Sequence, residues 1–172
     1  MMTYELINRD KTTAAINSYL SHGLSLEDLR HTATAIGRLG LEEYGPFLGE
    51  QLLHHTDAIV RYNATSSLGL KLHNTDYSDK YLNMAESDPD SDCRSMACAV
   101  LGNLYQSSSD VRVLSKLAKI AIEDAEEYVR VSAYKAALIV QGLSKARHLE
   151  ILRSLRLKVD VKKMRELLNS SK

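Results

Sequence analysis

Four arginines recur along this chain with the same neighbours around them, and this repetition constrains the fold more than any other feature. Their spacings are 31, 33 and 36 residues, and each arginine is followed three positions later by an alanine. The arginines are Arg30, Arg61, Arg94 and Arg130; the alanines are Ala33, Ala64, Ala97 and Ala133; the residues directly before the arginines are Leu29, Val60, Cys93 and Val129. Self-similarity at a period of roughly 20 to 50 residues is typical of stacked structural repeats.

Each copy of the pattern predicts one amphipathic helix. The residue before the arginine, the alanine three positions after it and an apolar residue six or seven positions after it share one stripe of an α-helix. Each copy of the pattern begins with an acidic residue. Its carboxylate can accept hydrogen bonds from the free backbone N–H groups at the start of the predicted helix. These acidic residues are Glu27, Asp57, Asp90 and Glu126 or Glu127. The predicted helices cover 27–39, 57–71, 91–104 and 126–140.

Shorter amphipathic segments precede these helices and supply the first helix of each pair. They cover 12–22, 47–55, 79–86 and 111–122, and turn-forming residues such as Gly45-Pro46 and Asp88-Pro89 separate them from the neighbouring helices. Segments 146–157 and 161–169 predict a last, strongly charged pair that caps the stack, because terminal repeats need a polar outer side. We therefore expect one domain over residues 1–172.

The D-x-x-V-R-x-x-A core of two copies resembles the HEAT-repeat family of armadillo-type α-solenoids. The clearest copies are Asp57–Ala64 and Glu126–Ala133, and the resemblance extends over roughly residues 24–142. It implies an all-α fold, a right-handed α-α superhelix of about four to five helix pairs. It also implies a structural ladder of acidic residues and arginines between neighbouring repeats. The ladder residues would be Asp57, Arg61, Asp90, Arg94, Glu126 and Arg130. Because Leu26 stands where the first copy should have its acid, we expect Arg30 to be less firmly held.

Charge is balanced over the whole chain but not along it. The sequence has 22 Lys and Arg against 22 Asp and Glu, which argues against a surface built throughout for phosphate backbones. Residues 142–172 are nevertheless basic, with nine cationic against three acidic side chains. Such an end can steer an approaching partner or can simply be a solvated capping helix.

No pattern in the chain predicts a catalytic, metal or cofactor site. Cys93 and Cys98 lie five residues apart in one predicted helix, which suits core positions in a reduced cytoplasmic protein. The acidic run 86–92 begins like a calcium loop but has Cys93 and Ala99 where that loop needs glycine and a carboxylate. The six histidines lack the spacing of a zinc hydrolase helix. The beginning of the chain has no apolar leader run, and no stretch predicts a transmembrane span.

The second helices of a solenoid lie side by side on its concave face, so their residues outside the buried stripe are the predicted partner-binding residues. These are His31, Thr34, Arg38, Tyr62, Thr65, Ser66, Tyr134 and Lys135, together with Ser95 and Cys98. This mixture of tyrosines, hydroxyls and scattered cations suits a protein epitope. An alternative is that Tyr62 and Tyr134 only fill space between helices.

The sequence therefore predicts a non-catalytic scaffold or adaptor for a protein partner, in the style of a small bacterial accessory or immunity protein. The alternative is a nucleic-acid binder that uses the basic C-terminal segment, including an enzyme like the HEAT-like DNA glycosylases. The chain has no tryptophan and one phenylalanine, which disfavours a base-stacking pocket of the glycosylase kind. A homodimer is compatible with each of these functions.

Overall fold

A computed structural model describes residues 8–142, 146–147, 150 and 159–169, and these residues form helices joined by turns and loops, with no strand among them. The helices are α1 (Arg9–His22), α2 (Leu26–Leu39), α3 (Ala58–Thr65), α4 (Ser78–Ser87), α5 (Ser91–Leu104), α6 (Val111–Glu123), α7 (Glu127–Val140) and α8 (Val161–Asn169). A 3-10 turn covers Glu42–Tyr44, and two π-helical segments cover Phe47–Leu52 and Ser66–Lys71, the second continuing α3. The predicted all-α fold class is confirmed, and the four predicted repeat helices agree with the observed ones to within one residue at each end.

The chain divides into two compact units, Met1–Asn74 and Thr75–Lys172. In the first unit α1 packs on α2, and α2 packs on α3 and its π-helical continuation. In the second unit α4 pairs with α5, α6 pairs with α7, α5 lies against α7, and α8 packs on α6. Adjacent helices thus form the pairs expected of HEAT-type repeats. We call the second helix of each pair a B helix, namely α2, α3 with its continuation, α5 and α7.

Capping side chains fix where the B helices begin. The Asp57 carboxylate accepts from the Val60 amide at 3.0 Å, and the Asp90 carboxylate accepts from the Asp92 and Cys93 amides at 3.0 and 3.1 Å. In α2 the capping side chain is Ser25 rather than Glu27, and the Glu126 side chain makes no capping hydrogen bond. The acidic openings at Asp57 and Asp90 therefore satisfy helix-end donors, as predicted from their position.

The repeated stripe forms the core of each unit. The residue before each arginine and the alanine after it have at most 1 % of their surface exposed in all four copies. Small residues let neighbouring helices approach: a Cβ added to Gly37 would lie 2.6 Å from the Ser67 Cβ, and one added to Gly102 would lie 3.0 Å from the Ala136 Cβ. Cys93 and Cys98 are buried free thiols, so the prediction that both are core residues is confirmed.

Part of the basic C-terminal segment cannot be placed on this framework. The predicted helix 146–157 falls mostly outside the described residues, and so do Lys145, Arg153, Arg156, Lys158 and Lys172. The second predicted helix of that pair, 161–169, is observed as α8. No described helix combines the length and the apolar character that a membrane span requires.

Candidate functional site

Two of the four repeat arginines, Arg30 and Arg94, form bidentate ion pairs with an aspartate 27 and 30 residues further along the chain. The Arg94 guanidinium donates from Nε and Nη2 to the Asp124 carboxylate at 2.8 and 3.0 Å. The Arg30 guanidinium does the same to Asp57, at 3.0 and 2.5 Å. Each pair joins a B helix to the turn that precedes the next B helix, so within each unit it ties one repeat to the following one.

Two details of the expected ladder are wrong. Arg30 is held by a bidentate pair although Leu26 replaces the acid of its own repeat, because the acid comes from the next repeat. The hydrogen bond from Arg30 is the main reason why the pKa of Asp57 falls to about 2. The partner of Arg94 is Asp124 and not Glu126, which is exposed.

The other two repeat arginines, Arg61 and Arg130, hold the turn of their own repeat. The Arg61 Nη1 donates to the carbonyl oxygens of His55 and Thr56 at 2.8 and 3.0 Å. The Arg130 Nη1 donates to those of Asp124 and Ala125 at 2.7 and 2.9 Å. Guanidinium groups committed to backbone carbonyls in this way act on the fold and are poorly placed to meet a ligand.

The predicted partner-binding residues divide into accessible and buried ones. His31 and Arg38 are exposed, and Thr34, Tyr62, Ser66, Ser95 and Lys135 are half-buried. Thr65, Cys98 and Tyr134 are buried, with 0, 0 and 7 % of their surface exposed, so the prediction that these three face a partner is wrong.

All three buried residues occupy the fourth position after the repeat arginine. That position lies one turn further along the same side of the helix as the arginine, which is the side that meets the adjacent repeat. The Thr65 hydroxyl accordingly donates to the Arg61 carbonyl at 2.8 Å. Burial raises the pKa of Tyr134, whose hydroxyl lies against the backbone of Asp160 at the start of α8.

Within each unit the B helices lie side by side near the repeat arginines. In the first unit the Asn63 side-chain amide donates to the Arg30 carbonyl at 3.2 Å, and in the second the Ser95 and Ser132 hydroxyls are 2.8 Å apart. Within each unit, these contacts bring the accessible residues of neighbouring B helices into one row. We use the name B face for these rows, which are His31, Thr34, Arg38, Tyr62 and Ser66 in the first unit and Ser95, Met96, Ala99, Val131, Ser132 and Lys135 in the second.

The accessible aromatic residue Tyr128 was not among the residues predicted from the sequence to bind a partner. Tyr128 has 42 % of its surface exposed, and its hydroxyl bonds to the Ser91 hydroxyl and, at 3.0 Å, to the Asp92 carboxylate. The hydrogen bond with Ser91 lowers the pKa of Tyr128, but desolvation and the carboxylates of Asp92 and Glu126 outweigh it and raise the pKa overall. Tyr128 stands two residues before its repeat arginine, and the exposed Asp28, Ile59 and Asp92 share that register position.

The described residues offer little for chemistry at a covalent or metal centre. No group of three or more His, Cys, Asp and Glu side chains among them is arranged to hold a metal ion. Burial raises the pKa of the Cys98 thiol to about 12, which leaves it protonated and a poor nucleophile.

A depression of about 600 Å³ lies on the surface of α6 and is lined by Val111, Arg112, Ser115, Lys116 and Lys119. Its three cationic side chains form salt bridges with the Asp79 and Glu86 carboxylates of α4.

Paired helices, close contacts at small residues and an arginine that joins successive repeats within each unit define an α-helical repeat protein. Comparison with known families places it more narrowly, because residues 45–138, more than half of the chain, match the family of HEAT repeats. The chain therefore belongs to the HEAT-repeat family, whose members are generally protein-interaction scaffolds and typically non-catalytic. No curated protein matches it.

Proposed function

We propose that this protein is a non-catalytic scaffold that binds one protein partner through its B face. The observation that carries the proposal is the regular row of accessible side chains on B helices that hydrogen bonds hold side by side within each unit. A fixed backbone presents these side chains without the entropic cost of ordering a loop, which favours binding.

The chemistry of the B face supports a protein epitope as the ligand. Tyr62 and Val131 supply apolar contact area, and Thr34, Ser66 and Ser95 supply hydroxyl groups around it. Among the described B-helix residues outside the arginine ladder, accessible cations are sparse and separated, namely Arg38, Lys71 and Lys135. A mixed surface of this kind is typical of protein interfaces, whereas nucleic-acid sites concentrate cations along a stripe. An accessory or immunity-type protein that holds one partner is the finer form of this proposal.

A nucleic-acid ligand is the second candidate, and it rests on the charge of the C-terminal segment. Lys162 and Arg165 are exposed one turn apart on α8, and Lys163 is half-buried beside them. Binding through these cations would weaken steeply as salt rises, because bound phosphates release counterions.

Affinity capture from lysate of the source organism tests the proposal if charge-matched variants accompany the wild-type protein. Lys135→Glu reverses a charge on the B face, and Lys119→Glu reverses one on the exposed side of α6. We expect a stoichiometric protein that survives nuclease and about 150 mM salt, and whose recovery falls with Lys135→Glu but not with Lys119→Glu.

Recovery that disappears with nuclease would replace the proposal by the nucleic-acid alternative. Equal recovery with both variants would show that the partner binds elsewhere than at the B face of the second unit.

A further inference from the structure

We propose that the B face of the second unit binds a cationic segment of its partner, with an arginine or lysine side chain packed on the ring of Tyr128 beside the carboxylate of Asp92. This inference rests on the proposed function and names the chemistry of the partner. Tyr128 stands at the start of α7, one turn before the B-face residues Val131 and Ser132.

The ring of Tyr128 is presented to solvent in a fixed position. Tyr128 lies in the first turn of α7, and its hydroxyl crosses to the first turn of α5, where Ser91 and Asp92 hold it. Aromatic rings with both ends fixed lose little freedom on binding, and a guanidinium or ammonium group is attracted to their faces. The ring therefore offers a preorganised surface for a cation.

The two segments that hold the ring carry an excess of negative charge. Residues 90–94 and 124–130 together have five carboxylates and two guanidiniums. The carboxylates belong to Asp90, Asp92, Asp124, Glu126 and Glu127, and the guanidiniums to Arg94 and Arg130. Since each helix start carries about +0.5 charge, the two helix dipoles offset about one further negative charge. A net charge of about −2 remains over these two segments.

The cations of this region are also committed to internal contacts. The Arg94 side chain is 13 % exposed and is bound to Asp124 and to the Asp88 carbonyl, and Arg130 is bound to two backbone carbonyls. The carboxylates of Asp92, Glu126 and Glu127 are exposed, and none of them forms a salt bridge within the described part of the chain. An incoming cation would therefore meet carboxylates that form no salt bridge with any arginine in the described ranges.

The B-face residues beyond Tyr128 determine what the rest of the partner segment would contact. Small or apolar residues follow the ring along the two helices, with Ser95 and Ala99 on α5 and Val131 on α7. Lys135 lies seven residues beyond Tyr128, about 10 Å further along the helix. A partner segment with a cation at one end and an acidic or neutral residue at the other therefore fits this face by charge.

A hexa-arginine peptide serves as the probe, with hexaglutamate as its charge-reversed counterpart, in titrations of the ¹⁵N-labelled full chain followed by NMR at low salt. We expect saturable shifts of the residue 91–96 and 127–132 amides with hexa-arginine and none there with hexaglutamate. Tyr128→Ala should weaken the hexa-arginine affinity about three- to fivefold, the range of an exposed cation–π contact, whereas Tyr128→Phe keeps the ring and should weaken it less than twofold.

Glu42→Gln is the matched control, because it removes an exposed carboxylate from the first unit, and it should leave the affinity unchanged. Shifts centred elsewhere, or equal affinities for Tyr128→Ala and wild type when both are folded by circular dichroism, would overturn the proposal. The peptide test does not use the natural partner. If hexa-arginine does not bind but the B face still captures a protein from lysate, the inference of a cationic segment is wrong and the proposed function is unaffected.

Discussion

Replacement of Arg94 by methionine tests whether the arginine–aspartate pair holds successive repeats together. The substitution keeps most of the apolar length of the side chain but removes two hydrogen bonds to Asp124 and one to the Asp88 carbonyl. The Asp124 side chain is 7 % exposed, and after the substitution it retains the hydrogen bond from the Glu126 amide at 2.9 Å. A nearly buried carboxylate would thus lose the cation that balances it.

The expected loss of unfolding free energy follows from this burial. Removing one partner of a fully buried pair costs about 3 to 5 kcal/mol, and because the Arg94 side chain keeps some access to water we expect about 2 to 4 kcal/mol. Arg112→Met is the matched control, since Arg112 and Asp79 are 53 and 82 % exposed. Breaking such a surface pair should cost less than about 1 kcal/mol.

Urea unfolding of both variants at pH 7 and in acid measures these losses. Desolvation raises the pKa of Asp124, but the hydrogen bonds from Arg94 and Glu126 and the charges of Arg94 and Arg130 together lower it overall. The pair therefore stabilises the fold above the unfolded pKa of about 3.9. The stabilisation disappears as the pH falls through the folded pKa, and the difference between wild type and Arg94→Met should narrow there. Equal losses for the Arg94 and Arg112 variants at pH 7 would refute the assignment of Arg94 to a structural link.

Three further predictions test the packing and the charges of the chain. Gly37→Ala should lower the unfolding free energy by about 1 to 3 kcal/mol, because the added Cβ would stand 2.8 Å from the backbone of Ser67; an unchanged Tm would mean that the two helices are not in close contact. The carboxyl of Asp57 should titrate near pH 2 by NMR, so that its stabilising effect is complete above about pH 4 and vanishes towards pH 2, and Arg30→Met should return its pKa towards 3.8. The Cys98 thiol, buried and with its pKa raised to about 12, should react with Ellman's reagent no faster than the protein unfolds, and immediate labelling would show that this part of the core is open.

The positions of the B helices could be predicted because their signal is local. An apolar residue, an alanine and a second apolar residue on one helical stripe define the buried side, and the period of the repeat fixes where each helix begins. The π-helical segments at Phe47–Leu52 and Ser66–Lys71 were not predicted. Widening a helix by one residue per turn hardly changes the pattern of apolar residues over so short a stretch.

The features that sequence reasoning missed depend on neighbouring repeats. Asp124 lies 30 residues from Arg94, and nothing in its own repeat distinguishes it from Glu126 as the partner. The burial of Thr65 and Tyr134 likewise depends on the adjacent helix, since the period of their own helix leaves them beside the exposed positions. Tyr128 stands outside the buried stripe, and its hydroxyl bonds to residues 36 and 37 positions away.

Site-specific photo-crosslinking of the captured complex tests most directly whether the B face binds the partner. Benzoylphenylalanine would replace Tyr62 and Lys135 on the B face and, as controls, the exposed Ala14 of α1 and Lys119 of α6. We expect crosslinks to one protein from positions 62 and 135 and none from positions 14 and 119. Crosslinks from positions 14 and 119, with none from positions 62 and 135, would show that the partner does not bind the B face.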